Sequence, residues 1–70
     1  MKYAIVIERT PTGSSAHSPD VPGCVAAART AVEARTAMTE ALTLRLEGLL
    51  ADGQEPPRAS AEVEYVEVGA

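Results

Sequence analysis

The sequence predicts an α+β domain with the element order β-β-β-α-β. Three observations support this fold class. Short apolar and β-branched segments are separated by turns rich in Pro and Gly, one long segment has helical periodicity with caps at both ends, and a final segment alternates apolar and acidic residues. With 70 residues, the chain is expected to form a single domain over residues 1–70.

The first three strands are predicted from composition and from the turns between them. The segment KYAIVIE, residues 2–8, is rich in β-branched and aromatic residues and stops at the turn-forming RTPTGS. Neither of its two faces is polar, which suits a strand that is covered on both sides. The segments SSAHS (14–18) and CVAAA (24–28) are weaker predictions that depend on the turns before them. Together the three strands are expected to form an antiparallel meander.

The helix is the strongest local prediction. Thr30 followed by Glu33 has the pattern of a capping box, and the helical pattern continues to Asp52. Gly53 stands where a left-handed C-terminal cap is favoured, and the following Pro56-Pro57 forbid continuation. An apolar stripe at three-and-four spacing consists of Ala34, Met38, Ala41, Leu42, Leu46 and Leu49.

The segment SAEVEYVEV, residues 60–68, predicts a last strand that runs parallel to the first after a right-handed crossover. Its alternation changes phase between Tyr65 and Val66. Either a bulge or burial of the far end on both faces explains that change. One helix covers only one face of such a sheet, and the other face would carry Ala4, Val6 and Val66, which is too apolar to be left in water and so favours a homo-oligomer.

The composition limits the kinds of binding partner and the cellular compartment that are expected for this chain. Six basic residues stand against ten acidic ones, for a net charge of −4, so direct nucleic-acid binding is disfavoured and a basic partner is favoured. Neither a signal peptide nor a run long enough to cross a membrane is recognisable, and a cytoplasmic protein is expected. One Cys and one His cannot supply an internal disulfide or a closed zinc site. Because a chain this short needs another source of stability, it is predicted to form a homo-oligomer, either a dimer or a tetramer.

Beyond these patterns, the sequence resembles the HicB-like antitoxin family over nearly its whole length. The resemblance is carried by SPDVPGCVAAARTAVEA (18–34), by EAL in the helix and by GQEPP after it. Where the family usually has Gly two residues before the capping Thr, this chain has Ala28, so a slightly different exit from the third strand is expected. The resemblance implies a truncated ribonuclease H-like sheet with one helix on one face.

The resemblance also implies a function: a non-enzymatic antitoxin that binds and neutralises a small basic HicA-like ribonuclease toxin. Members of the family commonly add a C-terminal DNA-binding module, and the sequence ends at Ala70, so operator binding by this chain is not expected. An alternative stays open, in which the chain is an orphan homo-oligomeric structural or ligand-binding module with no toxin partner.

Several residues are candidates for a site. Cys24 with His17 could form a nucleophile pair, although a small buried packing residue is the simpler interpretation. Nuclease chemistry on a ribonuclease H-like sheet needs a carboxylate in the middle of the first strand, and Glu8 lies only at its end. We therefore predict no catalytic residues, no cofactor and no metal site.

Acidic residues in two segments are the candidate partner-binding set. They are Asp20 in the Pro-rich turn and Glu62, Glu64 and Glu67 in the last predicted strand. Two interpretations stand. The acids could form an edge that attracts a basic toxin, or they could only protect an edge strand from unwanted pairing.

Overall fold

The computed structural model describes residues 1–69. Its elements are β1 (Val6–Thr10), β2 (Gly13–His17), β3 (Val25–Ala28) and α1 (Ala31–Ala51). The strands form one antiparallel sheet in the order β1-β2-β3. The α+β class and the predicted order of the first four elements are confirmed.

The helix covers one face of the sheet and leaves the other open. Ile7 lies opposite Ala16, which lies opposite Ala26, and all three contribute to the core beneath the helix. The next row consists of Val6, His17 and Val25, whose side chains point the opposite way because strand side chains alternate. Val25 is 68% exposed, so the second face lacks a cover in the single chain.

Both predicted ends of the helix are confirmed. The Thr30 hydroxyl oxygen accepts a hydrogen bond from the Glu33 backbone N–H at 3.1 Å, which satisfies one of the unpaired donors of the first turn. At the other end Gly53 has a φ of 71°. The Gly53 and Gln54 N–H groups donate to the carbonyl oxygens of Leu50 and Leu49. This pair of bonds is the Schellman arrangement that ends a helix on glycine.

The core is small and is made mostly of small residues. Its buried apolar members are Ala16, Val21, Cys24, Ala34 and Met38. Half-buried side chains from the first strand segment and the middle of the helix pack around them, including Tyr3, Ile5, Ala41 and Leu42. A core of this size indicates a chain of low stability when it is alone.

The predicted last strand is not formed in the single chain. Residues 60–68 pair with none of the three described strands and are exposed. The physical reason is that a strand needs a neighbouring backbone for its hydrogen bonds, and none lies beside this segment. The ribonuclease H-like topology, which needs that strand, stays a prediction.

Gly13 allows β2 to approach β3 closely. A Cβ atom at this position would collide with the Ala28 carbonyl oxygen, whereas a Cβ at Gly48, in the helix, would meet nothing within 4 Å. We expect Gly13→Ala to lower the free energy of unfolding by about 1–3 kcal/mol, the usual range for overpacking. Gly48→Ala is the matched control and should raise it by about 0.5–1 kcal/mol. Urea unfolding monitored by circular dichroism measures both, and equal effects from the two variants would contradict the assignment of this close approach.

Candidate partner-binding site

The Pro-rich turn between β2 and β3 folds back on itself. The Ser18 carbonyl oxygen accepts from the Val21 N–H at 3.3 Å, and the Val21 carbonyl oxygen accepts from the Cys24 N–H at 3.3 Å. Gly23 has a φ of 81°, a conformation that residues with a Cβ rarely adopt. Within this double turn the Asp20 side chain is directed inward, where it is only 8% exposed.

Asp20 joins three segments that are far apart in the sequence. One carboxylate oxygen, Oδ2, accepts from the Ala4 N–H at 3.1 Å. The other, Oδ1, accepts from the N–H groups of Ser60 at 3.0 Å and Ala61 at 2.8 Å. The Ser18 hydroxyl donates to the Ala4 carbonyl oxygen at 2.8 Å, so the backbone N–H and C=O of Ala4 are both hydrogen-bonded to this turn. The turn therefore holds the segment before β1 and the segment after the helix together.

These hydrogen bonds change the acidity of Asp20. The backbone N–H of Ala4, followed by that of Ala61, lowers the pKa of the Asp20 carboxyl below its ordinary 3.8, against the opposing effect of burial, and the N–H of Ser60 adds to the lowering. Hydrogen bonds to the ionised form favour that form. Asp20 is consequently a charged, internally bonded group at neutral pH.

A second contact holds the same two segments together. The Tyr3 hydroxyl donates to the Pro57 carbonyl oxygen at 2.7 Å, in a partly buried position. The chain from Pro57 to Ala61 is therefore held at both of its ends: by Tyr3 directly at Pro57, and by Asp20, which also binds Ala4, at Ser60 and Ala61. Beyond Ala61 no hydrogen bond among the described residues involves residues 62–69.

We call residues 62–69 the C-terminal arm. All of them are exposed, with Tyr65 98% and Val68 82% exposed. If the arm forms a strand on binding a partner, its side chains alternate. One side would then carry Glu62 and Glu64 followed by Val66 and Val68, and the other would carry Val63, Tyr65 and Glu67.

The structure separates the four predicted partner-binding residues into two groups. Glu62, Glu64 and Glu67 lie on the exposed arm and are open to a partner. Asp20 is buried, and both of its carboxylate oxygens are used within the chain, where they hold the start of the arm. This role of Asp20 is not predictable from the sequence, because the bonds from Ser60 and Ala61 span 40 and 41 residues.

Other candidate chemistry is not brought together. Cys24 is buried in the core, whereas His17 is exposed on the opposite face of the sheet. Glu33 forms a 3.8 Å ion pair with Arg29 on the surface. Across residues 1–69 no three His, Cys, Asp or Glu side chains are grouped so that they could hold a metal ion. In the same part of the chain, no helix combines the length and the apolar character needed to cross a membrane.

Comparison with known proteins adds a family to this geometry. Residues 3–68 match the model of the HicB-like antitoxin of bacterial toxin–antitoxin systems. The chain is also 38% identical, over 66 residues, to a protein of Haemophilus phage HP1 (strain HP1c1) described as "Uncharacterized 14.9 kDa protein in rep-hol intergenic region". That alignment covers 94% of this chain and 50% of the phage protein, so the chain spans about half of that relative's length.

The family match includes each part of the candidate site: the Tyr3 contact, the Asp20 turn and the arm as far as Val68. It also includes the stretch PDVPGC on which the sequence resemblance was based. The chain belongs to the HicB-like antitoxin family of bacterial toxin–antitoxin systems.

Proposed function

We propose that this chain binds and neutralises a small basic ribonuclease toxin of the HicA-like type, and that Glu62 and Glu64 on the arm contribute to the binding surface. The observation that carries the proposal is the family match over residues 3–68. The role is one of binding rather than catalysis, and it would be performed in the cytoplasm, where such a toxin meets RNA.

The charge of the chain supports a basic partner. Its net charge is −4, and three of its ten acidic residues fall within six positions of the arm. Long-range attraction between an acidic surface and a basic protein raises the rate of association and selects against acidic competitors. An exposed segment with this charge suits a toxin whose own surface must be basic in order to bind RNA.

The attachment of the arm supports the same conclusion. Asp20 and Tyr3 hold the chain just before Glu62, so the first acidic residue extends from a fixed point rather than from a free tail. A surface whose start is held in place loses less conformational entropy on binding than a free segment does. Glu67 lies on the other side of the arm, so the acidic pair Glu62 and Glu64 is the main toxin contact in this proposal.

Charge reversal tests the acidic pair. We expect Glu62→Lys/Glu64→Lys to weaken toxin binding by about 10- to 100-fold at low salt, and by less at high salt because screening reduces the contribution of exposed charges. The probe is a small basic protein whose reading frame neighbours that of this chain, the toxin that the proposal requires. Its affinity for the antitoxin is measured by titration calorimetry at two salt concentrations.

The matched control reverses two acids elsewhere. Glu40→Lys/Glu47→Lys changes the net charge by the same amount at two exposed helix positions, and we expect a much smaller loss of affinity. If the two double variants weaken binding equally, the loss of affinity is caused by the change in net charge, and the arm is not the contact surface. If neither changes the affinity or its salt dependence, the acidic-pair proposal is wrong.

The toxin partnership itself is tested by co-expression. Induction of the neighbouring protein alone should stop growth, and co-expression of this chain should restore growth and allow the two proteins to be purified together. A toxic neighbour that this chain neither binds nor neutralises would contradict the proposed function and would favour the orphan module.

A further inference from the structure

A groove runs between the segment that leads into β1 and the helix. Its apolar lining comes from Ile5, Leu42 and Leu46, and its basic groups are Lys2 and Arg35. Ile5, which lines the groove, leads directly into β1, and β1 pairs with β2 on one side only. Free backbone groups of an edge strand and an apolar groove beside them make a receptor for an additional strand.

The helix side of this groove has a defined direction. Its lining includes Arg35, Thr39, Leu42 and Leu46, which are spaced three or four residues apart and so form one stripe. The start of the helix, Ala31, lies beside Thr10 at the far end of β1. The helix therefore runs antiparallel to β1, with Leu46 near the beginning of the strand segment and Arg35 farther along it.

The arm matches this groove in chemistry and in direction. A strand parallel to β1 would meet the Leu46 end first and the Arg35 end last. The side of the arm that bears Val63, Tyr65 and then Glu67 presents apolar groups first and a carboxylate last. Val63 to Glu67 spans about 13 Å as a strand, and Arg35 to Leu46 spans about 16 Å along the helix.

We propose that two copies of this chain exchange their C-terminal arms. The arm of each copy adds a strand parallel to β1 of the other and places Val63 and Tyr65 in the groove, with Glu67 at Arg35. The exchange forms a two-fold symmetric dimer. It leaves Glu62 and Glu64 on the outer side of the arm, so it is compatible with toxin binding, but it holds with or without a toxin.

A second copy is favoured over the arm of the same chain. Residues 60 and 61 are attached to Asp20, and the residues beyond them are exposed instead of lying in their own groove. The small core gives the single chain little stability of its own. The exchange would bury Tyr65, which is 98% exposed in the single chain, and would give the arm's backbone N–H and C=O groups hydrogen-bonding partners.

The oligomeric state tests the apolar contacts. We expect the wild-type chain to be a dimer by light scattering at concentrations on the order of 100 µM. Val63→Ser/Tyr65→Ser should raise the dimer dissociation constant by about 100-fold or more, because two apolar side chains lose their burial. The matched control is Val66→Ser/Val68→Ser, which changes two exposed valines. Both lie on the outer side of the arm in this proposal, so this variant should remain dimeric. A monomeric wild-type chain, or equal effects from the two variants, would overturn the proposal.

A charge exchange tests the direction of the arm. Glu67→Arg and Arg35→Glu should each weaken the dimer by about tenfold or more, and the double variant Arg35→Glu/Glu67→Arg should recover most of the loss. This recovery needs direct contact and is not produced by misfolding. No recovery in a folded double variant would refute parallel placement of the arm.

Cross-linking identifies which copy supplies the arm. In a Cys24→Ser background, Thr39→Cys/Tyr65→Cys pairs a groove residue with the arm residue that the proposed placement brings opposite it, and should form a disulfide on mild oxidation and run at twice the chain mass on a non-reducing gel. A cross-linked species of single-chain mass would mean that the arm occupies its own groove. Either that species or the absence of any cross-link would overturn the exchange.

Discussion

Met38→Ala is expected to leave much of the protein unfolded at 25 °C. Met38 is completely buried and, with Val21, is one of the two largest fully buried side chains. Replacing a buried methionine by alanine costs about 2–5 kcal/mol through lost burial and the cavity that remains. A domain of this size often has only about 3–5 kcal/mol of stability from its core, so this single change is comparable to the whole.

The control for this prediction is Leu44→Ala in the same helix. Leu44 is 69% exposed, so its truncation should change the free energy of unfolding by no more than about 0.5 kcal/mol. Urea unfolding at one fixed protein concentration measures both variants, because association would otherwise shift the apparent stability. If Met38→Ala unfolds within about 1 kcal/mol of the wild type, the core described here is not the main source of stability.

The helix and its packing were predictable because the information is local. The stripe that begins with Ala34 and Met38 follows from spacing alone, and these two residues are the most buried in the helix. Thr30 and Gly53 determine the ends through hydrogen bonds to groups within five residues. Local patterns of this kind predict a helix and its ends without any information about the rest of the fold.

The last predicted strand shows what a local pattern leaves out. Residues 60–68 have the composition of a strand, and the structure of the single chain gives them no strand to pair with. The phase change between Tyr65 and Val66 was a sign that both sides of this segment carry apolar groups. A high strand propensity means that a segment packs well beside a neighbouring strand. The sequence does not show whether that neighbour belongs to the same chain or to another.

The turn around Asp20 was predicted as a turn, but the role of its carboxylate was not. Pro19, Pro22 and Gly23 are local turn signals, and Cys24 after them is a buried packing residue, as the simpler interpretation held. The three N–H groups that bind Asp20 come from the two ends of the chain. The sequence around a single acidic residue in a turn does not indicate hydrogen-bond partners so far away. Asp20 was therefore grouped with the exposed acidic residues.

Asp20→Asn is expected to loosen both ends of the chain and to remove a pH dependence of stability. The pKa of Asp20 is lowered in the folded chain, first by the Ala4 N–H and then by that of Ala61. A lowered pKa contributes stability that is fully present above the ordinary value of 3.8 and is lost as the pH falls through the lowered value. The asparagine variant is neutral throughout, so it should unfold at a lower temperature than the wild type at pH 7.

Thermal unfolding from pH 7 down to pH 2 measures this difference, which should shrink as the pH falls below 3.8. Asp52→Asn, which removes a carboxylate of the same type at an exposed position, is the control. Amide hydrogen exchange at Ser60 and Ala61 should also become faster in Asp20→Asn and not in the control, because these N–H groups lose their ionised acceptor. A constant difference between wild type and Asp20→Asn across the whole pH range would mean that the carboxylate acts through packing and not through its charge. In that case the start of the arm would have to be held by the Tyr3 contact alone, and Tyr3→Phe would then have the larger effect on exchange at Ser60.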